Sequence, residues 1–119
     1  MKSSAILSVK PANSASKENV VLIVEDDEDL RHIVQWVLED EGFVVETAKD
    51  GREALDRAMA RKPSLVLLDM ALPIIDGYGV AAGLHETYGD TITILTMTAD
   101  GHAAEKAKRV GAIGYVSKP

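Results

Sequence analysis

Residues 20–27 read Val-Val-Leu-Ile-Val-Glu-Asp-Asp, an unbroken aliphatic run that ends abruptly in three acids. An apolar run of this length without alternation is typical of a strand that is buried on both faces of a parallel sheet. The pattern recurs at residues 65–69, which read Leu-Val-Leu-Leu-Asp. Two such strands, each followed by carboxylates, predict an α/β sheet with acidic groups at one edge.

The remaining segments alternate between strand and helix patterns. Apolar residues recur at helical spacing after residue 29 and again after residue 53, and Gly42 and Pro63 are the expected stops. Trp36 lies beside the apolar stripe of the first helix, where we expect it to be partly packed. Further strands are predicted at 43–47, 92–97 and 112–116, and further helices at 78–88 and 102–110. This alternation indicates βαβ units and a doubly wound, five-stranded parallel sheet with helices on both faces.

The two ends of the chain differ in character. Residues 1–19 are rich in Ser, Ala, Lys and Asn and show no sustained period, so we expect a tail or linker. Residues 20–119 are long enough for one domain only.

Composition excludes several classes of function. Lysine and arginine number 13 against 19 acids, and the resulting net charge of −6 argues against direct binding of nucleic acid. The chain has no cysteine, which excludes disulfides, thiolate nucleophiles and Cys-based zinc sites. No apolar stretch approaches the ~20 residues that span a bilayer. We therefore expect a cytoplasmic protein that does not bind membranes.

Polar residues follow four of the predicted strands. Glu25 and Asp26 follow the first, Asp69 the third, Thr98 the fourth and Lys118 the fifth. The carboxyl ends of parallel strands meet at one edge, and carboxylates crowded there repel each other unless a cation neutralises them. Oxygen ligands favour Mg²⁺ or Mn²⁺, and Mg²⁺ commonly also binds a phosphate oxygen. Asp69 would then be a nucleophile, with the Lys118 ammonium and the Thr98 hydroxyl available to phosphoryl oxygens.

The order and spacing of these segments resemble the receiver domain of bacterial response regulators, the phosphorylated component of two-component systems. The resemblance covers residues 20–119 and is carried by residues 21–27, 65–77, 97–99 and 111–119. It implies a flavodoxin-like fold, similar to that of the chemotaxis regulators, with strand order 2-1-3-4-5. It also implies a fifth helix, which is missing from this chain because the chain stops at Pro119.

The resemblance implies a role for each residue of the acidic edge. Asp69 takes a phosphoryl group from a phosphohistidine, and Lys118 contacts that group. Asp26 and Asp69 bind Mg²⁺ directly, Glu25 binds it through water, and the backbone carbonyl of Ala71 completes the protein ligands.

The resemblance also implies a conformational switch, in which Thr98 moves toward the phosphoryl group and Tyr115 turns inward. Two assignments have alternatives. The family usually has about two more residues between the threonine and Lys118, so Thr96 competes with Thr98 for the switch hydroxyl. Asp27 competes with Asp26 for the metal, although Asp27 is also well placed to cap the helix that follows.

The implied function is a signalling switch and not an enzyme with an external substrate, because the domain catalyses only its own phosphorylation and dephosphorylation. The implied partners are a sensor histidine kinase or a histidine phosphotransfer protein, and an effector domain or output protein; dimer formation is left open. Competing functions fit less well. Phosphohydrolases that use an aspartyl phosphate carry it after the first strand, and a Rossmann-type nucleotide site needs a glycine-rich turn where this chain has acids.

Overall fold

The computed structural model describes residues 19–99 and 102–118. In this part of the chain five strands alternate with four α-helices. In chain order these are β1 (Val20–Val24), α1 (Glu28–Asp40), β2 (Val44–Ala48), α2 (Gly51–Ala60), β3 (Leu65–Asp69), α3 (Gly77–Tyr88), β4 (Ile94–Thr98), α4 (Ala103–Arg109) and β5 (Gly114–Ser117), with a short 3₁₀ turn at Gly89–Thr91 before β4. The tail predicted at residues 1–19 lies, apart from Asn19, outside the described residues.

All five strands are parallel and lie in the order β2-β1-β3-β4-β5, which confirms the predicted fold class. The pairing register aligns Val24 with Leu68, and Asp69 with Met97. The carboxyl ends of β1, β3 and β4 therefore lie side by side. The sheet brings the polar residues that follow these strands to a single edge.

Two apolar layers hold the sheet. β1, β3 and β4 are buried along their whole length, and their alternate residues face opposite sides. One layer is packed by α2 and α3 through Ala54, Ala58, Val80 and Leu84. The other layer contains Leu38 of α1. Because the central strands are buried on both faces, they read as continuous apolar runs in the sequence.

Three predicted strand starts were wrong by one or two residues, and each has a local cause. The predicted start of β5 at Ala112 fails because the Ala112 N–H donates to the Ala107 carbonyl at 2.9 Å and so closes α4. The predicted start of β2 at Phe43 fails because the Phe43 N–H donates to the Leu38 carbonyl at 3.1 Å and so closes α1. The predicted start of β4 at Ile92 fails because the chain is still leaving the 3₁₀ turn there, although Ile92 is buried.

Trp36 also differs from its prediction of partial packing, because 72% of its surface is exposed.

Aspartates cap the first three helices. The carboxylates of Asp27, Asp50 and Asp76 each accept a hydrogen bond of 2.8–3.0 Å from the backbone N–H three residues later. Such caps satisfy N–H groups that the helix itself leaves unpaired. At the other end of α1, Gly42 takes a positive φ of 98°, as a helix-terminating glycine does. The predicted cap at Asp27 and stop at Gly42 are both confirmed.

The short helix α4 is held by α3 at its C-terminal end. The His85 ring lies between two backbone carbonyls, with Nδ1 3.1 Å from Gly89 O and Nε2 2.9 Å from Val110 O. The guanidinium of Arg109 stacks over the Tyr78 ring at 5.2 Å, which is within the range of a cation–π contact. No helix in the described ranges is both long and apolar enough to cross a bilayer.

A prediction concerns Gly51, the first residue of α2. A Cβ at this position would lie 2.1 Å from the backbone oxygen of Ile75, whereas one at Gly83 would meet only side-chain carbons of Leu55, the nearest at 2.9 Å. We expect Gly51→Ala to lower the free energy of unfolding by about 1–3 kcal/mol, because backbone must move. Gly83→Ala should leave it unchanged or raise it by up to about 1 kcal/mol through helix propensity.

Urea unfolding followed by circular dichroism measures both variants. A Gly51→Ala protein as stable as wild type would show that the loop carrying Ile75 does not pack against α2 as described.

Candidate functional site

Three carboxylates meet at the carboxyl edge of the sheet. Glu25 directly follows β1, Asp69 ends β3, and Asp26 lies at the surface beside them. One oxygen from each lies within 4.8 Å of the others. Glu25 is 0% exposed and Asp69 only 1%, so two of the three negative charges are shielded from water. Burying charge in this way is costly unless a cation or several hydrogen bonds compensate.

Glu25 is held by backbone contacts on three sides. Its own N–H continues the sheet by donating to Ala48 O at 3.0 Å. Its Oε2 accepts from the Asp27 N–H at 3.0 Å, and its carbonyl accepts from Arg31 Nη1 at 2.9 Å. The side chain is therefore fixed with its other oxygen, Oε1, facing the site.

Asp69 is fixed by the loop that follows it. Met70 N donates to Met97 O at 3.1 Å, and Ala71 N donates to Asp69 Oδ1 at 3.1 Å. The first turn of α3 packs directly on this strand end, because a Cβ at Gly77 would lie 2.6 Å from Met70 Cα and 2.9 Å from Asp69 O. Only glycine allows that approach, so Gly77 has a packing role beside Asp69 that its turn-like sequence did not reveal.

Lys118 supplies the positive charge. Its Nζ lies 3.0 Å from Asp69 Oδ2 and 3.2 Å from Glu25 Oε1, and its side chain is 18% exposed. A backbone hydrogen bond positions Lys118 beside the acids, because Lys118 N donates to Thr98 O at 3.0 Å. One ammonium therefore faces two buried carboxylates from the end of β5.

The charges at this edge act on one another. Burial raises the pKa of Glu25, and the negative charge of Asp69 raises it further, whereas the Asp27 N–H and Lys118 oppose the rise. Burial by itself lowers the pKa of Lys118, but the close contact with Asp69 and then with Glu25 raises it above its ordinary value. The two carboxylates therefore favour the charged form of Lys118, whereas burial disfavours the charged form of Glu25.

The donor set fits a hard divalent cation. Glu25 Oε1 and Asp69 Oδ2 are buried and accept no hydrogen bond from the described residues, although Lys118 Nζ lies near both. Asp26 adds an exposed carboxylate at the mouth of the cluster. A cluster of carboxylate oxygens without nitrogen or sulfur suits Mg²⁺, Mn²⁺ or Ca²⁺ better than zinc or copper. The cluster is therefore a candidate metal centre.

The other residues singled out from the sequence lie at the same edge or next to it. Thr98 is the last residue of β4 and is buried, with its carbonyl bonded to Lys118. Thr96 lies inside the strand opposite Leu68, and its hydroxyl donates to Gly114 O at 3.4 Å. Of the two threonines, Thr98 is therefore the one at the end of β4. Tyr115 lies on β5 with much of its ring exposed. Their switching roles, and the metal contact of the Ala71 carbonyl, stay predictions.

Arg31 is a contact of the site that no sequence pattern indicated. Its guanidinium reaches back from α1 to the Glu25 carbonyl, and this contact depends on the path of the connecting loop. An arginine in the first turns of a helix has no distinctive pattern, so reasoning from spacing could not single it out.

Comparison with known proteins agrees with this geometry. The family described as "Response regulator receiver domain" matches residues 21–119. The chain belongs to this family. The match covers the sheet and every residue of the acidic edge, so the resemblance inferred from the strand ends is confirmed.

Curated relatives include the response regulator MprA of Mycolicibacterium vanbaalenii, which is 39% identical over 101 residues. They also include the alkaline phosphatase synthesis transcriptional regulatory protein PhoP of Bacillus subtilis, 38% identical over 101 residues. Each alignment covers 83% of this chain but only 43% of MprA and 42% of PhoP. The chain therefore spans less than half the length of these relatives.

Solved structures show the same fold. Chemotaxis protein CheY4 of Vibrio cholerae superposes with a TM-score of 0.78 at 33% identity, covering 87% of this chain and 88% of that one. The response regulator TrrA of Thermotoga maritima, solved in complex with Mg²⁺ and BeF, gives a TM-score of 0.77 at 31% identity, covering 85% and 87%. This receiver domain thus has relatives with solved structures over most of its length.

A prediction follows from the charge balance at the edge. Lys118→Met removes the cation between Glu25 and Asp69 without removing the aliphatic stem. We expect the free energy of unfolding to fall by about 3 kcal/mol, the lower end of the cost of breaking a buried ion pair, because Lys118 is partly exposed. Excess MgCl₂ should stabilise this variant more than it stabilises wild type.

The matched control is Lys62→Met, because Lys62 is exposed and contacts the Thr91 hydroxyl and the Tyr88 ring, with no carboxylate involved in either contact. It should cost at most about 1 kcal/mol. Urea unfolding with and without MgCl₂ measures both. Equal losses in the two variants would contradict the neutralising role assigned to Lys118.

Proposed function

We propose that this receiver domain accepts a phosphoryl group on Asp69 from a phosphohistidine, with Mg²⁺ or Mn²⁺ bound beside it, and passes the change on as a signal. The observation that carries the proposal is the buried pair of Glu25 and Asp69, with Asp26 at the mouth and one ammonium facing both. A merely structural ion pair would not need a third carboxylate beside the two that Lys118 already faces.

The reaction is a displacement at phosphorus. A carboxylate oxygen of Asp69 forms a bond to phosphorus, and the P–N bond of the donor breaks with its electron pair left on the imidazole nitrogen. The Ala71 N–H orients the carboxylate through Oδ1, and Lys118 offers its ammonium to a phosphoryl oxygen. A divalent cation held by Glu25, Asp26 and Asp69 would neutralise these acids and bind another phosphoryl oxygen.

The output is a change of conformation and not a released product. Addition of a phosphoryl group brings about two negative charges to a buried edge. Lys118 and Thr98 are linked through backbone, so movement at the site is transmitted to the ends of β4 and β5. We propose Thr98 and Tyr115 as the switch pair, and a cytoplasmic domain that catalyses only its own phosphorylation and dephosphorylation.

The partners belong to the same proposal. A sensor histidine kinase or a histidine phosphotransfer protein would donate the phosphoryl group, and an effector domain or separate output protein would respond. The relatives MprA and PhoP carry names of regulators and are more than twice as long as the aligned region, which supports an output domain in this context.

The first test is covalent labelling by acetyl phosphate and MgCl₂, measured by intact mass. We expect one phosphoryl adduct that requires the metal, is cleaved by hydroxylamine and is lost in Asp69→Asn. Asp90→Asn, the same change in the 3₁₀ turn at the opposite edge of the sheet, should be labelled like wild type. An adduct retained in Asp69→Asn would contradict the assignment of the nucleophile.

The second test separates the neighbouring acids. Asp26 belongs to the carboxylate cluster, whereas the Asp27 carboxylate caps α1. We expect Asp26→Ala to weaken Mg²⁺ binding by at least about tenfold, as loss of a metal-site residue does. Asp27→Ser, which keeps a good cap, should bind Mg²⁺ as wild type does. Isothermal titration calorimetry measures both affinities, and the reverse result would assign the ligand to Asp27.

A further inference from the structure

Ile74 is the one non-glycine residue with positive φ in the described part of the chain. Its φ is 71°, and the turn around it is closed by a hydrogen bond of 2.8 Å from Ile75 N to Pro73 O. Three-residue turns with a positive central φ are rare and strained. For a β-branched residue this conformation is an outlier, because Cβ crowds the following carbonyl.

The fold does not use the Ile74 side chain. It is 78% exposed, the largest exposure among the large apolar residues described. Its neighbours Leu72 and Ile75 pack against the core and anchor the loop on both sides. Asparagine or glycine would fit the same backbone with less strain. The chain therefore holds an isoleucine in a strained, water-exposed position that contributes nothing to the core.

The location of Ile74 indicates a use for it. The residue lies on the loop that joins β3 to α3, so it borders the edge where Asp69 ends β3. Asp69 is almost fully buried, and a phosphoryl donor must reach it by passing over this border. On the β3 side the exposed residues are Ala71, Pro73 and Ile74, which are uncharged, and then Asp76, whose carboxylate caps α3. On the β1 side the exposed Asp26 carries negative charge.

We infer that Ile74 is an apolar anchor for the protein that donates the phosphoryl group, and that it determines which donors are accepted. The inference rests on the proposed function. The donor would present an apolar recess beside its phosphohistidine, into which Ile74 fits while Asp69 meets the phosphorus. The anchored loop holds the Ile74 side chain outward before binding, so little conformational entropy is lost when the donor binds. A small donor such as acetyl phosphate has no surface for this contact.

The test compares Ile74→Asn with Ile113→Asn. Ile113 is also an exposed isoleucine, at 62%, but it directly precedes β5 at the opposite edge of the sheet. The protein donors are the autophosphorylated cytoplasmic domains of a panel of histidine kinases, from which the one that transfers fastest to the wild-type chain is used. For each receiver, the KM and kcat for this donor are measured, together with the rate of labelling by acetyl phosphate.

We expect Ile74→Asn to raise the KM for the protein donor about tenfold, the loss that a buried side-chain contact of this size commonly brings. The ratio of the protein-donor rate to the acetyl phosphate rate should fall by the same factor. Ile113→Asn should keep the wild-type ratio. The melting temperature of Ile74→Asn should rise, because asparagine tolerates positive φ.

Three results would overturn the inference: an unchanged KM in Ile74→Asn, an equal loss in Ile113→Asn, or a melting temperature that falls to the point where transfer fails through unfolding. Failure of the proposed function is distinguishable from these, because wild type itself would then take no phosphoryl group from acetyl phosphate.

Discussion

Two buried carboxylates and one ammonium at the ends of three parallel strands are the constraint on which this domain depends. Glu25 and Asp69 lie out of water, and Lys118 faces both. Their mutual repulsion would open the edge if the strands could move, but β1 and β3 are buried on both faces and cannot separate. The rigid apolar sheet thus keeps the two carboxylates close together and out of water, although repulsion and hydration both favour their separation. The free-energy cost of the buried charges at this edge is therefore offset by the apolar packing of the strands.

The loops around the edge are shaped by the same requirement. Gly77 brings the start of α3 against Asp69, and the Asp27 N–H fixes Glu25. Each contact uses a backbone group and not a side chain, so the acids keep their remaining oxygens directed into the site. Backbone donors are part of the chain path and cannot rotate away, which makes the geometry of the edge as rigid as the sheet.

The sequence predicted the parts of this structure that follow from periodicity. Continuous apolar runs predicted β1 and β3, and the rule that parallel strands end together predicted the meeting of Asp69 with Lys118. The start of β2 was missed because one hydrogen bond from Phe43 to α1 decides it. The exposure of Trp36 and the positive φ of Ile74 were missed for a different reason. Both depend on the three-dimensional path of the chain, and residue type alone would place an apolar side chain inside.

The length of α4 has a mechanical consequence. This helix has seven residues, whereas isolated helices shorter than about 12–15 residues are marginal in water. Its order must come from neighbours, namely the buried Ala103 and Ala107 and the contacts of Val110 and Arg109 with α3. Such an element can open locally without unfolding the sheet. A coupling free energy of about 1–3 kcal/mol is typical between two sites of one protein. A helix of two turns that is held by only a few contacts with its neighbours can be displaced by a free energy of that size.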